Sequence, residues 1–326
     1  MGRYQEIFHS HSALQQRIKS SRELLEKVRK NVSEKSACKA PGVCIYAAGS
    51  LARYETGKVS DLDLFFVADR RKRKKGERSL SKLSEVKIFS DLIRLTDELQ
   101  IQPFSGDGKF LKIHELQDII EGTGSSDDDS ENLFTTRLLL LLESKCIVGQ
   151  KVYDNSIRKV LDMYFRDGRG RKEFRPLFLL NDILRYWRTL CLNYERTRSE
   201  QGKPWWKKNL NLKFPRKLTV FSTVLCIVAL DMHTLEDFLK ISSMTPLERL
   251  IFALDHMADS ELEGSFLEVL NYYEDFLAAK SYEQLNQPDQ VQLGEFSAKA
   301  QKLDDFFHSA LASTKLNQEL VRYVLI

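Results

Sequence analysis

Apolar and polar positions repeat with a helical period over much of the chain and with a strand period over a few short stretches. From residue 3 to about 35, apolar residues recur at helical spacing among Lys, Arg and Glu, which predicts one or two helices. Val43–Ala48 is a continuous apolar run and Asp61–Phe66 alternates polar with apolar residues, so both are predicted strands. Ser84–Leu99 has the stripe of an amphipathic helix, and Phe110–Glu115 alternates again as a further strand.

Residues 132–326 have a helical pattern throughout. Separate helices are predicted over 132–148, 151–166, 176–198 and 214–231, with three or four more over 235–326. Residues 122–131 are acidic and contain no apolar side chain, which is typical of a loop or linker. The pattern therefore predicts an α+β protein in four parts: N-terminal helices packing on a core (1–40), the core itself (41–121), an acidic linker or loop (122–131) and a helical domain (132–326).

Composition narrows the classes of protein that remain. A net charge of +4, with 29% charged residues, excludes a polycation, so attraction for nucleic acid would need a local cluster. Arg70–Lys75 is such a cluster, and it predicts either a nucleic-acid contact or localisation signal, or a solvated loop. Five cysteines without a CxxC pair favour a reducing compartment. The N-terminal residues lack the apolar core of a signal peptide, and the apolar run Leu218–Leu230 is too short to span a bilayer. We therefore expect a cytoplasmic protein without membrane insertion.

The chemistry of the core is concentrated between the first two predicted strands. Asp61 and Asp63 lie two residues apart, so on a strand their carboxylates point to the same side. Carboxylate pairs of this kind, together with substrate phosphates, hold Mg²⁺ in proteins. Gly49-Ser50, ten residues earlier, forms a turn whose N–H groups and hydroxyl suit an anion. The alternative is that the aspartates are a solvated sheet edge and Gly49-Ser50 is an ordinary turn.

Gly49-Ser50 followed by Asp61-Leu62-Asp63 among apolar residues resembles the signature of the DNA polymerase β-like nucleotidyltransferase superfamily. The resemblance implies a core of a small mixed sheet with helices, followed by a helical domain that forms the other wall of a nucleotide cleft. It implies that Gly49 and Ser50 hold the nucleotide phosphates, and that Asp61 and Asp63 bind two Mg²⁺ or Mn²⁺ ions. A third carboxylate would be Asp107, in a Ser-Gly-Asp-Gly turn, or Glu115; Asp107 is equally typical of a hairpin turn. The activity implied is transfer of a nucleoside monophosphate from an NTP or dNTP to a hydroxyl, with release of pyrophosphate.

The same resemblance implies that cations of the helical domain meet the phosphates while other groups contact the base or sugar. Asn181, Arg185 and Arg188 fall on one side of a predicted helix, and Lys213 and Lys217 flank a proline. In this interpretation Asn181 orients the sugar or base and the four cations stabilise the phosphate charge. The alternative is that these residues cover the outside of helices.

The strings NDILRYWRTL and NLKFPRKL are also similar to the helical half of bacterial nucleotidyltransferases, including those of Hailong-type anti-phage systems. That resemblance implies a single-stranded DNA oligomer as product and an effector protein, encoded alongside, as partner. The attacking hydroxyl stays open: a nucleotide 3′-OH, a partner protein, or a side chain of the chain itself such as Tyr323. The alternatives are a nucleotidylyltransferase that modifies a partner protein by AMPylation or UMPylation, as in antitoxin-like systems, and an inactive nucleotide-binding regulator.

Overall fold

The structure, a computed structural model, describes residues 2–58, 60–69, 78–104, 108, 111–168, 171, 174–198, 205–281 and 289–325. Its helices in the first half of the chain are α1 (Arg3–Ser10), α2 (Ser12–Glu34), α3 (Gly49–Ala52), α4 (Lys82–Glu98), α5 (Leu116–Glu121), α6 (Ser126–Ser130), α7 (Leu133–Leu142) and α8 (Gln150–Tyr164). Those in the second half are α9 (Leu177–Arg198), α10 (Trp205–Asn211), α11 (Lys217–Ala229), α12 (Leu235–Ser242), α13 (Pro246–Met257), α14 (Glu263–Ser281), α15 (Gln290–Ala312) and α16 (Gln318–Leu325). The strands are β1 (Val43–Ala47), β2 (Leu64–Ala68), β3 (Ile113–Glu115) and β4 (Lys145–Val148). The predicted α+β class is therefore confirmed.

The chain forms two compact units. The sheet unit comprises Arg17–Arg166, and the helical unit comprises Met1–Gln16 together with Asp167–Ile326. This division differs from the predicted one, because the N-terminal part splits between the units after Gln16 and the helical part begins at Asp167 rather than at 132.

The sheet is mixed, with strand order β3-β2-β1-β4. β1 pairs antiparallel with β2, from Val43 opposite Ala68 to Ala47 opposite Leu64. β2 pairs parallel with β3, with Phe66 opposite Ile113, and β4 pairs antiparallel with β1. Every residue of β1 and β2 is buried, because helices cover both faces of the two central strands.

One face of the sheet packs on α2 and α4. Their apolar stripes contribute Val28 and Leu92, among others, to a core shared with Ile45 and Phe66. On the opposite face Tyr46 stacks on Phe65, with ring centroids 5.7 Å apart. Because helices cover both faces of the sheet, the strand residues that point to either face are apolar.

The predicted helix over 132–148 is wrong at its C-terminal end. α7 ends at Leu142, and Lys145–Val148 is instead the edge strand β4. A short apolar run is compatible with either structure, so periodicity alone cannot assign it. Pairing with β1 satisfies the backbone of this segment and buries Cys146 and Ile147.

The predicted acidic linker or loop at 122–131 lies inside the sheet unit and is a loop only in part. Residues Ser126–Ser130 form α6, and the side chain of Asp128 has no exposed surface. Its two carboxylate oxygens accept hydrogen bonds from Nη1 and Nη2 of Arg137 at 2.8 and 2.9 Å. Arg137 is itself fully buried and donates through Nε to the Tyr164 hydroxyl at 2.9 Å. A buried ion pair, rather than solvent, therefore neutralises the middle aspartate of the run.

The helical unit is organised around α11, which is buried along nearly its whole length and packs on α13. α13 begins at a capping box in which Thr245 and Glu248 bond each other's backbone N–H groups, with Pro246 in the first turn. α1 packs in the same unit: the N–H of Tyr4 donates to Asp255 at 2.8 Å. Among the described residues, no helix combines the length and the apolar character needed to cross a membrane.

Candidate functional site

The turn after β1 and the residues before β2 meet in the sheet unit. The N–H of Ala48 donates to the carbonyl oxygen of Asp63 at 2.9 Å, which extends the β1–β2 pairing by one step. Gly49 follows with φ of +64° and begins the short helix α3. A Cβ atom at position 49 would lie 2.3 Å from Oδ2 of Asp63. The Asp63 carboxylate therefore lies directly against the glycine, where a side chain would displace it.

Asp61 and Asp63 precede β2 rather than lying on it as the sequence predicts, but they alternate with buried leucines. Leu62 is 3% exposed and Leu64 is 2% exposed, and both join the core between the sheet and its helices. Asp61 and Asp63 are partly exposed, and Asp61 forms an isolated parallel bridge with Gln102. Both aspartates are therefore more exposed than the leucines beside them.

Ser50 is buried within α3, with 7% of its surface exposed. Its carbonyl oxygen accepts a hydrogen bond from the N–H of Glu55 at 2.8 Å, which closes the chain back on the turn. The short helix is thus anchored at Asp63 through Ala48 and at Glu55 through Ser50.

A cluster of buried charged side chains, which the sequence did not predict, supports this turn. The guanidinium of Arg53 donates to Glu55 at 2.7 Å and to Glu143 at 2.8 Å, and all three side chains are at most 4% exposed. The cluster ties the segment after α3 to the segment between α7 and β4. The sequence does contain an indication of this cluster: Arg53 and Glu55 lie two residues apart, directly after an apolar stretch. Unpaired charges are costly in a buried segment, so two opposite charges there indicate an ion pair.

The two candidates for a third carboxylate have different positions. Asp107 lies outside the described residues. Glu115 pairs with Ala68, at the end of β2 remote from Asp63, and accepts hydrogen bonds from the N–H and hydroxyl of Ser79. Five residues of strand separate Ala68 from Asp63, about 16 Å. Glu115 is therefore too far along the sheet to share a metal ion with Asp63.

Because β3 runs parallel to β2, the residues before Ile113 lead toward the Asp63 end of the sheet. Leu111 and Asp63 line the same small cavity, of about 10 Å³. Small-molecule pockets usually measure about 300–1000 Å³. The described residues around this cavity therefore do not enclose a nucleotide. Nor do the described residues contain a group of three or more His, Cys, Asp or Glu side chains that would hold a metal ion.

The five residues predicted to contact the nucleotide beyond the turn all lie in the helical unit. Asn181 and Arg188 are exposed on α9, and Arg185 is partly exposed, with Nη1 3.9 Å from Asp182. The α9 group is therefore accessible along one side of its helix.

The two lysines near α11 have partners on α15. Lys213 donates to Ser297 at 3.4 Å, and Lys217 is buried and forms an ion pair with Asp304. Burial, and then the neighbouring Lys213, lower the pKa of Lys217 to about 8, and Cys191 opposes them. Lys217 therefore already has an ion-pair partner within the helical unit.

Two other residues or segments that the sequence singles out do not belong to this site. The basic run Arg70–Lys75 lies outside the described residues. Tyr323 lies on α16 and is 46% exposed, so its hydroxyl is accessible for modification.

No protein-family model matches the sequence, and no curated protein matches it significantly. The site is therefore interpreted from its own geometry.

Proposed function

We propose that the chain is a metal-dependent nucleotidyltransferase with a DNA polymerase β-like core, acting at Gly49, Ser50, Asp61 and Asp63. The observation that carries the proposal is the contact between the turn and the carboxylate: a Cβ at Gly49 would lie 2.3 Å from Oδ2 of Asp63. A phosphate bound against the backbone of this turn would therefore lie beside the carboxylate that holds its counter-ion.

The strand arrangement supports the same function. The turn follows β1, the aspartates precede the antiparallel neighbour β2, and β3 adds in parallel on the far side of β2. The turn and the segment that carries the aspartates are therefore adjacent. The Arg53 cluster fits a supporting role, because it fixes the chain that leaves the turn.

The donor set suits Mg²⁺ or Mn²⁺. Asp61 and Asp63 provide hard oxygen ligands that are partly exposed and alternate with buried leucines. Two carboxylates leave most of the coordination sphere to phosphate oxygens and water, and Asp107 is the proposed third ligand. When bound, two such ions would lower the pKa of the attacking hydroxyl and neutralise the triphosphate and the leaving pyrophosphate.

The chain's own residues supply binding and orientation. In this proposal Gly49, lacking a side chain, lets a phosphate approach the backbone, and the Ser50 hydroxyl donates to a phosphate oxygen. The acceptor oxygen forms a bond to the α-phosphorus, the bond from that phosphorus to the β-phosphate oxygen breaks, and pyrophosphate leaves. The proton of the acceptor hydroxyl is released to solvent. Positioning and electrostatics carry most of this catalysis.

We propose further that the product is a nucleotide oligomer used in anti-phage defence, which acts on an effector protein. That Asn181, Arg185, Arg188, Lys213 and Lys217 contact the nucleotide stays a prediction from the sequence. Lys217 already forms an ion pair with Asp304.

The test is incubation of the purified protein with Mg²⁺ or Mn²⁺ and each labelled ribo- and deoxyribonucleoside triphosphate, followed by gel and mass analysis. Asp61→Asn and Asp63→Asn should each abolish incorporation while the melting temperature changes little, because both side chains are partly exposed. Asp97→Asn, which removes an exposed carboxylate on α4, is the matched control and should retain incorporation. Incorporation that survives the double variant at Asp61 and Asp63 would contradict the proposal.

The form of the labelled product separates the alternatives. A free labelled oligonucleotide supports oligomer synthesis, and a labelled partner protein supports protein nucleotidylylation. Nucleotide-dependent stabilisation without pyrophosphate release would indicate an inactive regulator. If the chain itself gains mass, a Tyr323→Phe protein that gains the same mass excludes that hydroxyl as primer.

A further inference from the structure

The stretch of sequence that leads from the end of α9 to the start of α11 is strongly basic. Of the 22 residues from Arg196 to Lys217, eight are Lys or Arg and only Glu200 is acidic. The whole chain has a formal net charge of only +4, so its positive charge is concentrated here. A local excess of cations attracts a polyanion even when the molecule as a whole is close to neutral.

An exposed tryptophan lies within this basic stretch. Trp205 begins α10 and is 44% exposed, although tryptophan side chains are mostly buried in folded proteins. The guanidinium of Arg198, at the end of α9, lies over its ring, with Cζ 6.0 Å from the ring centroid. Lys208 follows Trp205 by three residues, so it lies on the same side of α10, and it is also exposed. A cation from each of two helices therefore flanks one exposed aromatic ring.

Arg198 has an acidic neighbour that leaves it accessible. Its Nη1 lies 3.6 Å from Glu195, and both side chains are 60% exposed. An ion pair so open to solvent is weak, so a phosphate oxygen can replace the carboxylate.

The C-terminal half of α9 carries a second exposed row. Arg188, Leu192 and Arg196 follow one another at intervals of four residues, so they lie along one side of the helix. All three are exposed, and Leu192 has 71% of its surface exposed. α9 packs on α10 within the helical unit. The two neighbouring helices therefore present both cations and apolar surface to solvent.

We propose that these exposed residues of α9 and α10 bind single-stranded nucleic acid. The basic–aromatic surface consists of Arg188, Leu192, Arg196, Arg198, Trp205 and Lys208. Its cations contact phosphates and a base stacks on the Trp205 ring, which is how proteins bind single strands without sequence preference. A duplex fits less well, because its bases are stacked on one another and offer no free face to the tryptophan. An acidic peptide or free phosphate would use the cations and leave the aromatic ring without a role.

This inference does not depend on the proposed catalysis. Gly49 and Asp63 lie in the sheet unit, whereas the basic–aromatic surface lies in the helical unit. Binding of a strand requires neither a metal ion nor a nucleoside triphosphate.

The test is fluorescence anisotropy of labelled oligothymidylate and oligouridylate, titrated with the full-length protein in EDTA and without nucleoside triphosphates. The chelator prevents transfer, so binding is measured separately from the proposed activity. We expect saturable binding of the single strands that weakens as the salt concentration rises, and much weaker binding of the corresponding duplex.

Substitutions separate stacking from charge. Trp205→Leu should lower the affinity by about fivefold or more with an unchanged salt dependence, and Trp205→Phe, which keeps an aromatic face, should retain most of it. Lys208→Gln should reduce the slope of log K against log salt concentration by about 0.7, the value for one phosphate contact.

Two control variants match these changes. Phe178→Leu removes a ring that is 41% exposed at the start of α9, and Lys87→Gln removes one exposed cation from α4 in the sheet unit. Both should bind the strands as wild type does.

Three results would each overturn the proposal: no binding at low salt, equal affinity for single strand and duplex, or wild-type affinity in folded Trp205→Leu protein. The last two would show attraction by charge alone. If Trp205→Leu does not fold, Lys208→Gln decides in its place, and an unchanged salt dependence rejects the surface. Strand binding by a wild-type protein that incorporates no nucleotide would support this inference and contradict the proposed function.

Discussion

The contact between Gly49 and Asp63 predicts a specific outcome for Gly49→Ala. The new methyl group would lie 2.3 Å from Oδ2 and 3.3 Å from Cγ of Asp63. Since that oxygen is the far end of a rotatable side chain, the carboxylate can move aside rather than unfold the turn. Relieving the overlap requires a displacement of about 1 Å, judged from ordinary carbon–oxygen contact distances.

The cost to stability has two parts. Position 49 has a φ of +64°, and an alanine in this left-handed region costs about 1 to 2 kcal/mol relative to glycine. Holding the aspartate away from its preferred rotamer adds about 0.5 to 1.5 kcal/mol. We therefore expect Gly49→Ala to lower the free energy of unfolding by about 1.5 to 3.5 kcal/mol.

Activity should fall much further than stability, since misplacing a reacting group by about 1 Å can cost on the order of 100-fold in rate. The turn should still form in the variant, so this loss would be seen in protein that remains folded.

Gly124 provides the matched control. Its φ is +76°, but a Cβ there would meet no atom within 4 Å. Gly124→Ala should therefore show only the backbone cost, and its nucleotide incorporation should equal that of wild type. Urea denaturation and the incorporation assay measure the two effects in both variants.

A double-mutant cycle isolates the contact itself. In an Asp63→Ala background the carboxylate is gone, so Gly49→Ala should cost about 1 kcal/mol less than it does in wild type. A Gly49→Ala protein with the stability of Gly124→Ala, full incorporation and no coupling to position 63 would refute the geometry described here.

Three other predictions concern buried charges and the metal. Asp128→Asn should lower the free energy of unfolding by about 3 to 5 kcal/mol, because it leaves a buried arginine without its counter-charge, whereas Asp127→Asn, at an exposed neighbour, should change it by less than about 0.5 kcal/mol. Equal effects in urea denaturation would contradict the buried pair. Burial, and then Lys112, lower the pKa of His114 to about 4, with Glu131 opposing them. The imidazole of His114 therefore takes up a proton near pH 6.5 in the unfolded chain but only near pH 4 in the folded chain. The free energy of unfolding falls by up to about 3 kcal/mol as the pH drops from 6.5 to 4. A stability difference between wild type and His114→Phe that does not vary between about pH 7 and 4 would count against this. Chelation of divalent cations should stop nucleotide incorporation and added Mg²⁺ or Mn²⁺ should restore it, so transfer in excess chelator would argue against a metal-dependent site.

Local patterns were enough to predict the elements around the turn. The apolar run that became β1, the alternation of aspartates with leucines and the amphipathic stripe of α4 each depend on neighbouring residues only. The same is true of the positive φ at Gly49, which a glycine in a tight turn favours.

The failures concern residues whose role depends on a distant partner. The apolar pattern predicts that Lys145–Val148 continues the preceding helix. The segment is a strand instead, because it pairs with the edge of β1. Asp128 resembled its exposed neighbours in sequence, and only the position of Arg137 on α7 distinguishes it. Glu115 was a candidate third carboxylate from the sequence, and its register opposite Ala68 puts it at the wrong end of the strand.

The sequence by itself determined which residue types could bind phosphate and cations, because those properties reside in single side chains and in their spacing along a strand. Only the tertiary structure decided which of them meet. Strand register and helix packing fix distances between residues that are far apart in the chain, and these are set by the burial of the whole core. The Asp63 carboxylate lies against Gly49 for that reason.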